Sequence, residues 1–297
     1  MKIFLAKLLL FLALFVAADM VLGMLVGHFH LKTKNTVLTN ANYGFVGYKN
    51  DDILLFGASE VSHTFISDMI TEETGLSTYN LASDGCGIFY QYALLETILE
   101  KHTPKVVLLS TSQLIMKELD YVSRMYPYYK NNKYVKSVVD KLNRYERFKL
   151  FFQGYVYNSQ IIRIFDAKDD NSSGYIALPA EEQNAKISEI ENLPLGLNHD
   201  IDPEIKAYYK KFMDLAHSSG VTVYAYFPPQ LEIINPEYLD TILTVTKNTE
   251  AKVINLSSDW KILGRPELFF DKTHLNHAGA KVTTDRFIKI LKEDNIY

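Results

Sequence analysis

Five short apolar runs recur along this chain, at 53–56, 78–81, 106–109, 221–227 and 253–256. Each is short enough to read as a strand, and the uniformly apolar 53–56 reads as a buried one. The segments between them are too long for hairpins and carry helical periodicity. Helices are expected at 63–74, stopped by Gly75, and at 90–101, stopped by Thr103-Pro104. Further helices are expected at 203–218, stopped by Gly220, at 236–249, and at about 278–293. Strands alternating with helices close as right-handed β-α-β units. The expected fold is a three-layer α/β/α sandwich with a mainly parallel, flavodoxin-like sheet.

The N-terminus stands outside that rhythm. Lys2 and Lys7 precede an apolar stretch running from Leu8 to Gly27 with one charge, Asp19. Twenty helical residues span roughly 30 Å, the hydrocarbon thickness of a bilayer. Residues 1–28 therefore read as a transmembrane anchor. A cleaved signal peptide ending near Val16-Ala17-Ala18 is the rival, and the apolar run continuing past that point favours the anchor. Asp19 is out of place in it, since a charge at that depth costs a few kcal/mol on insertion scales. Either reading puts the remainder outside the cytoplasm, on the periplasmic or extracytoplasmic side of a cell membrane. Residues 29–50 read as a polar connector with turn signals at Thr39–Asn42 and Gly44, and 51–297 as the folded domain.

Residues 113–200 break the strand–helix alternation and read as an insertion, mostly helical to about Phe165, with a loop at Asp169–Gly174. The insertion is rich in Tyr and Phe. With 20 Tyr and 17 Phe in the whole chain, packing and half-buried surface account for the aromatics, and a sugar-binding face is the sharper reading. The net charge of -4 gives no electrostatic case for nucleic acid. The single cysteine, Cys86, excludes an intramolecular disulfide. No spaced His/Cys/Asp set suggests a metal, and there is no P-loop or dinucleotide fingerprint, so no cofactor is expected.

Three groups of residues with chemical potential fall at expected strand ends, where open parallel sheets bind ligands. Ser59, in Gly57-Ala58-Ser59-Glu60, follows the first strand at a turn kept small by Gly57 and Ala58. Gly85, in Asn80-Leu81-Ala82-Ser83-Asp84-Gly85, follows the second and can bring a backbone N–H close to a substrate oxygen. Asp271 and His274 follow the apolar residues 268–270. A serine hydroxyl is a poor nucleophile until a base takes its proton, and the base needs an orienting partner. Asp271 can bind one ring nitrogen of His274 and leave the other for Ser59. His63, one helical turn after Ser59, reads as structural, and His277 as an alternate base less well placed for Asp271.

These blocks, in this order, resemble the SGNH/GDSL hydrolase superfamily. Gly57-Ala58-Ser59-Glu60 is similar to its nucleophile block, the segment from Asn80 to Gly85 to its second block, and Asp271-Lys272-Thr273-His274 to its last. Glu60 after the serine, together with the N-terminal anchor, resembles the membrane-anchored branch that includes the DltD proteins of cell-wall D-alanylation. The resemblance covers roughly 50–112 and 203–293 and leaves the insertion unexplained. It implies a Ser59–His274–Asp271 triad with an oxyanion hole from the N–H groups of Ser59 and Gly85. The chain departs from the family at the third block: the usual Gly-x-Asn-Asp is replaced by Leu109-Ser110-Thr111-Ser112-Gln113, so either Ser110, Ser112 or Gln113 donates in place of the asparagine or the hole has only the amides of Ser59 and Gly85. The function implied is ester hydrolysis or O-acyl transfer on a cell-envelope glycan or lipid-linked carrier, beside a multi-pass membrane O-acyltransferase. The alternative is a non-catalytic glycan- or partner-binding accessory of such a system.

Overall fold

The computed structural model describes residues 1–115, 122–166, 172–179, 201–231 and 236–297. Five strands, β1 (Ile53–Phe56), β2 (Thr78–Asn80), β3 (Val106–Ser110), β4 (Thr222–Phe227) and β5 (Lys252–Asn255), form one sheet in the order β2-β1-β3-β4-β5. Every pairing is parallel, with Ile53 opposite both Thr78 and Val106, Val107 opposite Val223, and Tyr226 opposite Ile254. This is the doubly wound order, with the reversal of winding between β1 and β3.

Uniform burial of β1 and β3 follows from cover on both faces. Leu54, Phe56, Val107, Leu109 and Phe227 point into one core with Leu94, Ile98, Tyr209 and Phe212. The latter four come from helices α5 (Ile88–Leu99) and α10 (Pro203–Ser218). Ile53, Leu55, Val106, Leu108 and Tyr226 point the other way, onto Ile70, Phe287 and Leu291. Those three belong to α4 (Ser67–Thr74) and α13 (His277–Glu293). Each large apolar side chain buried this way contributes roughly 1.5–3 kcal/mol.

Helix bounds follow local chemistry. The Asp202 carboxylate accepts from the N–H groups of Glu204 and Ile205, Pro203 takes the first helical position of α10, and Gly220 at φ +81° ends the following turn. Gly75 caps α4 in the left-handed conformation at φ +71°. The helix expected over 63–74 starts four residues later, as α4, and a separate turn, α3 (Ser59–Ser62), precedes it across a break at 63–66. At the break the Ile66 N–H donates to the Thr284 hydroxyl, which donates to the Thr64 carbonyl. The backbone bonds lost to helix are thus satisfied by α13, which no local pattern reveals.

Helix α1 runs from Lys2 to Lys32 and is long and apolar enough to cross a membrane. The stretch expected as a polar connector is instead structured. Helix α2 (Thr36–Asn42) and a π-helical turn (Tyr43–Gly47) bury Leu38, Ala41 and Phe45. Asn40 is fully buried and donates to the carbonyls of Ala82 and Gly174, so polar residues here serve the interior rather than solvent. Where it is described, the insertion is mostly helical to Phe165, in α6 (Lys133–Leu142), α7 (Glu146–Lys149), α8 (Gln153–Tyr157) and α9 (Ile161–Phe165). Residues 180–200 and the first part of the expected loop at 169–174 lie outside the described residues. Two further α-helices among the described residues are α11 (Pro236–Lys247), on the β4–β5 crossover, and α12 (Trp260–Leu263).

Candidate active site

The turn after β1 is built around Gly57. A Cβ there would lie 2.4 Å from Val61 Cγ2, so only glycine permits the sharp bend. The Gly57 carbonyl accepts from the Ser83 N–H at 3.0 Å and from the Gln91 side-chain amide at 2.7 Å. The Glu60 carboxylate accepts from the Ala58 N–H at 3.2 Å. These bonds hold the turn from three sides and leave Ser59, the first residue of α3, partly exposed.

The residues after β2 join this turn. Asn80 is fully buried; its amide donates to the carbonyls of Val61 and Phe65, and its oxygen accepts from the Ala82 N–H. Gly85 sits at φ +72°, where a side chain would be strained. The N–H groups of Ser59 and Gly85 donate to no protein acceptor among the described residues. Orphan amides of this kind, at the mouth of a site, can stabilise a developing oxyanion.

The last loop brings the base. Phe269 pairs with Leu275 in an antiparallel bridge, closing a tight loop around Asp271. The Asp271 carboxylate accepts from the backbone N–H groups of Thr273 at 2.9 Å and His274 at 2.8 Å. Both of its oxygens lie 2.9 Å from His274 Nδ1. Burial by itself would raise the Asp271 pKa, but the His274 ring and the two N–H donors outweigh it and hold the carboxyl well below the usual range. His274 Nε2 lies 2.7 Å from Ser59 Oγ. With Nδ1–H committed to the carboxylate, Nε2 carries the lone pair and accepts from the serine hydroxyl. Residues 215 positions apart thus form one continuous relay.

The structure brings Ser59, His274 and Asp271 together and sends His277, Ser112 and Gln113 elsewhere. The ring of the exposed His277 bonds the Tyr175 hydroxyl at 3.0 Å through Nδ1. The Ser112 hydroxyl is engaged with Ser110 Oγ at 2.6 Å, and Gln113 is fully buried. Among the described residues neither Ser112 nor Gln113 is hydrogen-bonded to Ser59 or His274. Ser112 lines a small hollow with Phe227, Pro228 and Ile242 instead. A cavity of about 680 Å³ is lined by α1, Tyr128 and the C-terminal end of α5. The second-strand loop with Gly85 leads into the N-terminal end of α5, so this cavity lies at the opposite end of that helix.

A second histidine–carboxylate pair, not foreseen from the sequence, borders the triad. His63 Nδ1–H donates to the Ile176 carbonyl at 2.8 Å, and its Nε2 lies 3.6 Å from Asp84, which also accepts from the Ser62 hydroxyl at 2.6 Å. Burial opposes a charge on His63, but the Asp84 carboxylate and the Ile176 carbonyl facing its two nitrogens prevail, and its pKa is raised. Asp84 is correspondingly held far below the ordinary carboxylate range, against its burial, by His63, Ser62 and the Arg124 charge. The His63 and His274 rings meet edge to face, with centroids 5.6 Å apart.

Residues 172–179 form a strap over this region. The Ser173 carbonyl accepts from the Asn80 N–H, the Ile176 N–H donates to the Ser62 carbonyl, and the Leu178 carbonyl accepts from the His277 N–H. The strap ties the β2 edge to the start of α13. Its only sequence signal is the Gly174 turn.

No protein-family profile matches the chain, and no curated protein matches it in sequence. Among solved structures it is similar to protein YxiM of Bacillus subtilis, with a TM-score of 0.44 and 16% identity over 84% of this chain and 58% of that one. The chain thus spans less than two thirds of that protein's length. It is also similar to the psychrotrophic esterase EstA of Pseudoalteromonas sp., in a structure inhibited by monoethylphosphonate. There the TM-score is 0.42 and the identity 12%, over 83% of this chain and 100% of that one.

Proposed function

We propose that this chain is a membrane-tethered serine esterase or O-acyltransferase of the SGNH type, acting through Ser59, His274 and Asp271 on acyl esters of a cell-envelope glycan or lipid-linked carrier. The observation that carries the reading is the relay itself: Ser59 Oγ at 2.7 Å from His274 Nε2, whose Nδ1 lies 2.9 Å from both Asp271 oxygens.

In the first half-reaction Ser59 Oγ attacks the acyl carbonyl while His274 Nε2 takes its proton. Asp271 keeps the ring in the accepting tautomer and stabilises the imidazolium that forms. The tetrahedral oxyanion is held by the N–H groups of Ser59 and Gly85. It collapses when His274 returns the proton to the departing alkoxide, leaving the acyl group on Ser59. In the second half-reaction His274 deprotonates the acceptor. Water as acceptor releases the acid, and a sugar hydroxyl receives the acyl group. A missing oxyanion donor typically costs about 10²–10³ in rate. A third block without asparagine, its Ser112 hydroxyl tied to Ser110, therefore fits slow turnover of simple esters and a preference for an acceptor that is itself held at the site.

Helix α1 would keep the site beside the bilayer, on the periplasmic or extracytoplasmic side, and near a multi-pass membrane O-acyltransferase as partner. The testing experiment is covalent labelling with a fluorophosphonate probe. Wild-type protein should label, Ser59→Ala should not, and His274→Ala should label far more slowly. A folded wild-type protein that does not label would overturn the reading in favour of a non-catalytic binding accessory. Release of free acid against acyl transfer to added glycan then separates esterase from transferase.

A further inference from the structure

Only part of α1 is free to cross a membrane. Phe15 packs on Phe152 with ring centroids 6.2 Å apart, and Phe29 packs on Phe165 at 6.1 Å. Between these points the helix lies against the insertion so closely that Gly23 is obligatory: a Cβ there would sit 2.2 Å from Gln153 Cβ. From Lys2 to Phe15 the unencumbered helix measures about 20 Å. A hydrocarbon core is about 30 Å thick. Even a span beginning at Lys2, ahead of the apolar run from Leu8, carries the level of Phe152 at least about 10 Å below the far hydrocarbon boundary.

The insertion has the surface this depth demands. Phe148, Phe151, Ile162 and Phe165 are between 61% and 83% exposed, and they continue the exposed apolar side chains of α1. Asp19 supplies a second, independent observation. Its carboxylate accepts from the backbone N–H groups of Gln153 at 2.7 Å and Gly154 at 2.8 Å, the first turn of α8. Helix-start amides have no partner of their own, and in lipid they would have no water either. The one charge in the apolar run therefore faces the insertion and satisfies donors that hydrocarbon would leave unpaired. Arg144 and Arg147 lie over the rings of Tyr145 and Phe148, at 4.9 and 4.8 Å from the centroids. Cationic heads on aromatic bodies suit the headgroup boundary.

We infer that the aromatic face of the insertion, from Phe148 to Phe165, is embedded in the acyl-chain layer of the phospholipid bilayer alongside α1, so that the domain is docked into one leaflet rather than hung from a tether. The inference rests on the proposed reading of α1 as a membrane anchor.

The test uses the full chain in phosphatidylcholine–phosphatidylglycerol vesicles with acyl-chain-brominated lipid. Trp260 is the sole tryptophan and is 78% exposed, so Trp260→Phe gives a silent background. Single reporters are then placed by Phe151→Trp and Ile162→Trp in the insertion and by Leu9→Trp in α1. The expected result is fluorescence reduced about two-fold or more at all three, as for rings within hydrocarbon, with native Trp260 unaffected. Quenching at Leu9→Trp with none at Phe151→Trp or Ile162→Trp, and those two open to aqueous acrylamide, overturns the inference while the anchor stands. That outcome would leave the face for a protein partner. No quenching at Leu9→Trp overturns the anchor reading and the embedding with it.

Discussion

Replacing Asp271 with asparagine separates what the carboxylate does for chemistry from what it does for the loop. Asp271→Asn keeps an oxygen that can accept from the N–H groups of Thr273 and His274, so the tight turn survives. The other group becomes an amide donor facing His274 Nδ1. The ring must then present its lone pair at Nδ1 and carry its proton on Nε2, which would donate toward Ser59 Oγ instead of accepting from it. A triad in the wrong tautomer loses about 10⁴ in kcat, equivalent to about 5 kcal/mol of transition-state stabilisation. The stability cost is much smaller, about 1 kcal/mol for exchanging a charge-assisted bond for a neutral one at a partly exposed side chain. The assay is p-nitrophenyl acetate hydrolysis and the second-order rate of fluorophosphonate labelling, alongside urea denaturation. Expected are a collapse of both rates and a nearly unchanged unfolding midpoint. Activity within ten-fold of wild type, under conditions where Ser59→Ala is dead, would refute the argument that Asp271 sets the His274 tautomer.

Three further outcomes follow from the structure. Asn276→Ala removes the α13 cap and strips the donor from the carbonyls of Glu267 and Phe269; it should cost about 2–4 kcal/mol in urea unfolding and lower kcat through the adjoining His274 loop. Gly174→Ala places a Cβ 2.0 Å from the Asn80 carbonyl oxygen at φ +90°; a loss of about 2 kcal/mol or more, with faster proteolysis of the strap, is expected. Asp84→Asn should destabilise more at pH 6 than at pH 8. The His63 pKa is raised on folding, so the stabilisation is full below the unfolded value of about 6.5 and is lost as pH rises through the folded value. Equal destabilisation of Asp84→Asn at both pH values in urea titrations would contradict the pairing.

Much of this was legible locally. Residues 203–218 match helix α10 because Asp202, Pro203 and Gly220 mark its ends within a few positions of sequence. Ser59, Gly85 and the Asp271–His274 pair could be placed because a parallel sheet puts its strand ends on one side. The stretch 29–50 reads as a connector because Asn40 and Asn42 look solvent-directed. They instead bond the Gly174 and His30 carbonyls. The break at 63–66, the strap and the His63–Asp84 pair escaped for the same reason, since their bonding partners come from distant parts of the chain.

Composition and spacing by themselves determined the strand–helix alternation and the apolar N-terminal helix, and they marked Ser59, His274 and Asp271 as candidates. Those properties depend on periodicity, caps and turns, which act over a few residues. Only the tertiary structure decided that Ser59 meets His274 rather than His277, that Ser112 turns to Ser110, and that Asp19 faces the amides of Gln153 and Gly154. A buried polar group must find a partner wherever the fold supplies one, and which partner that is depends on how elements a hundred residues apart pack together.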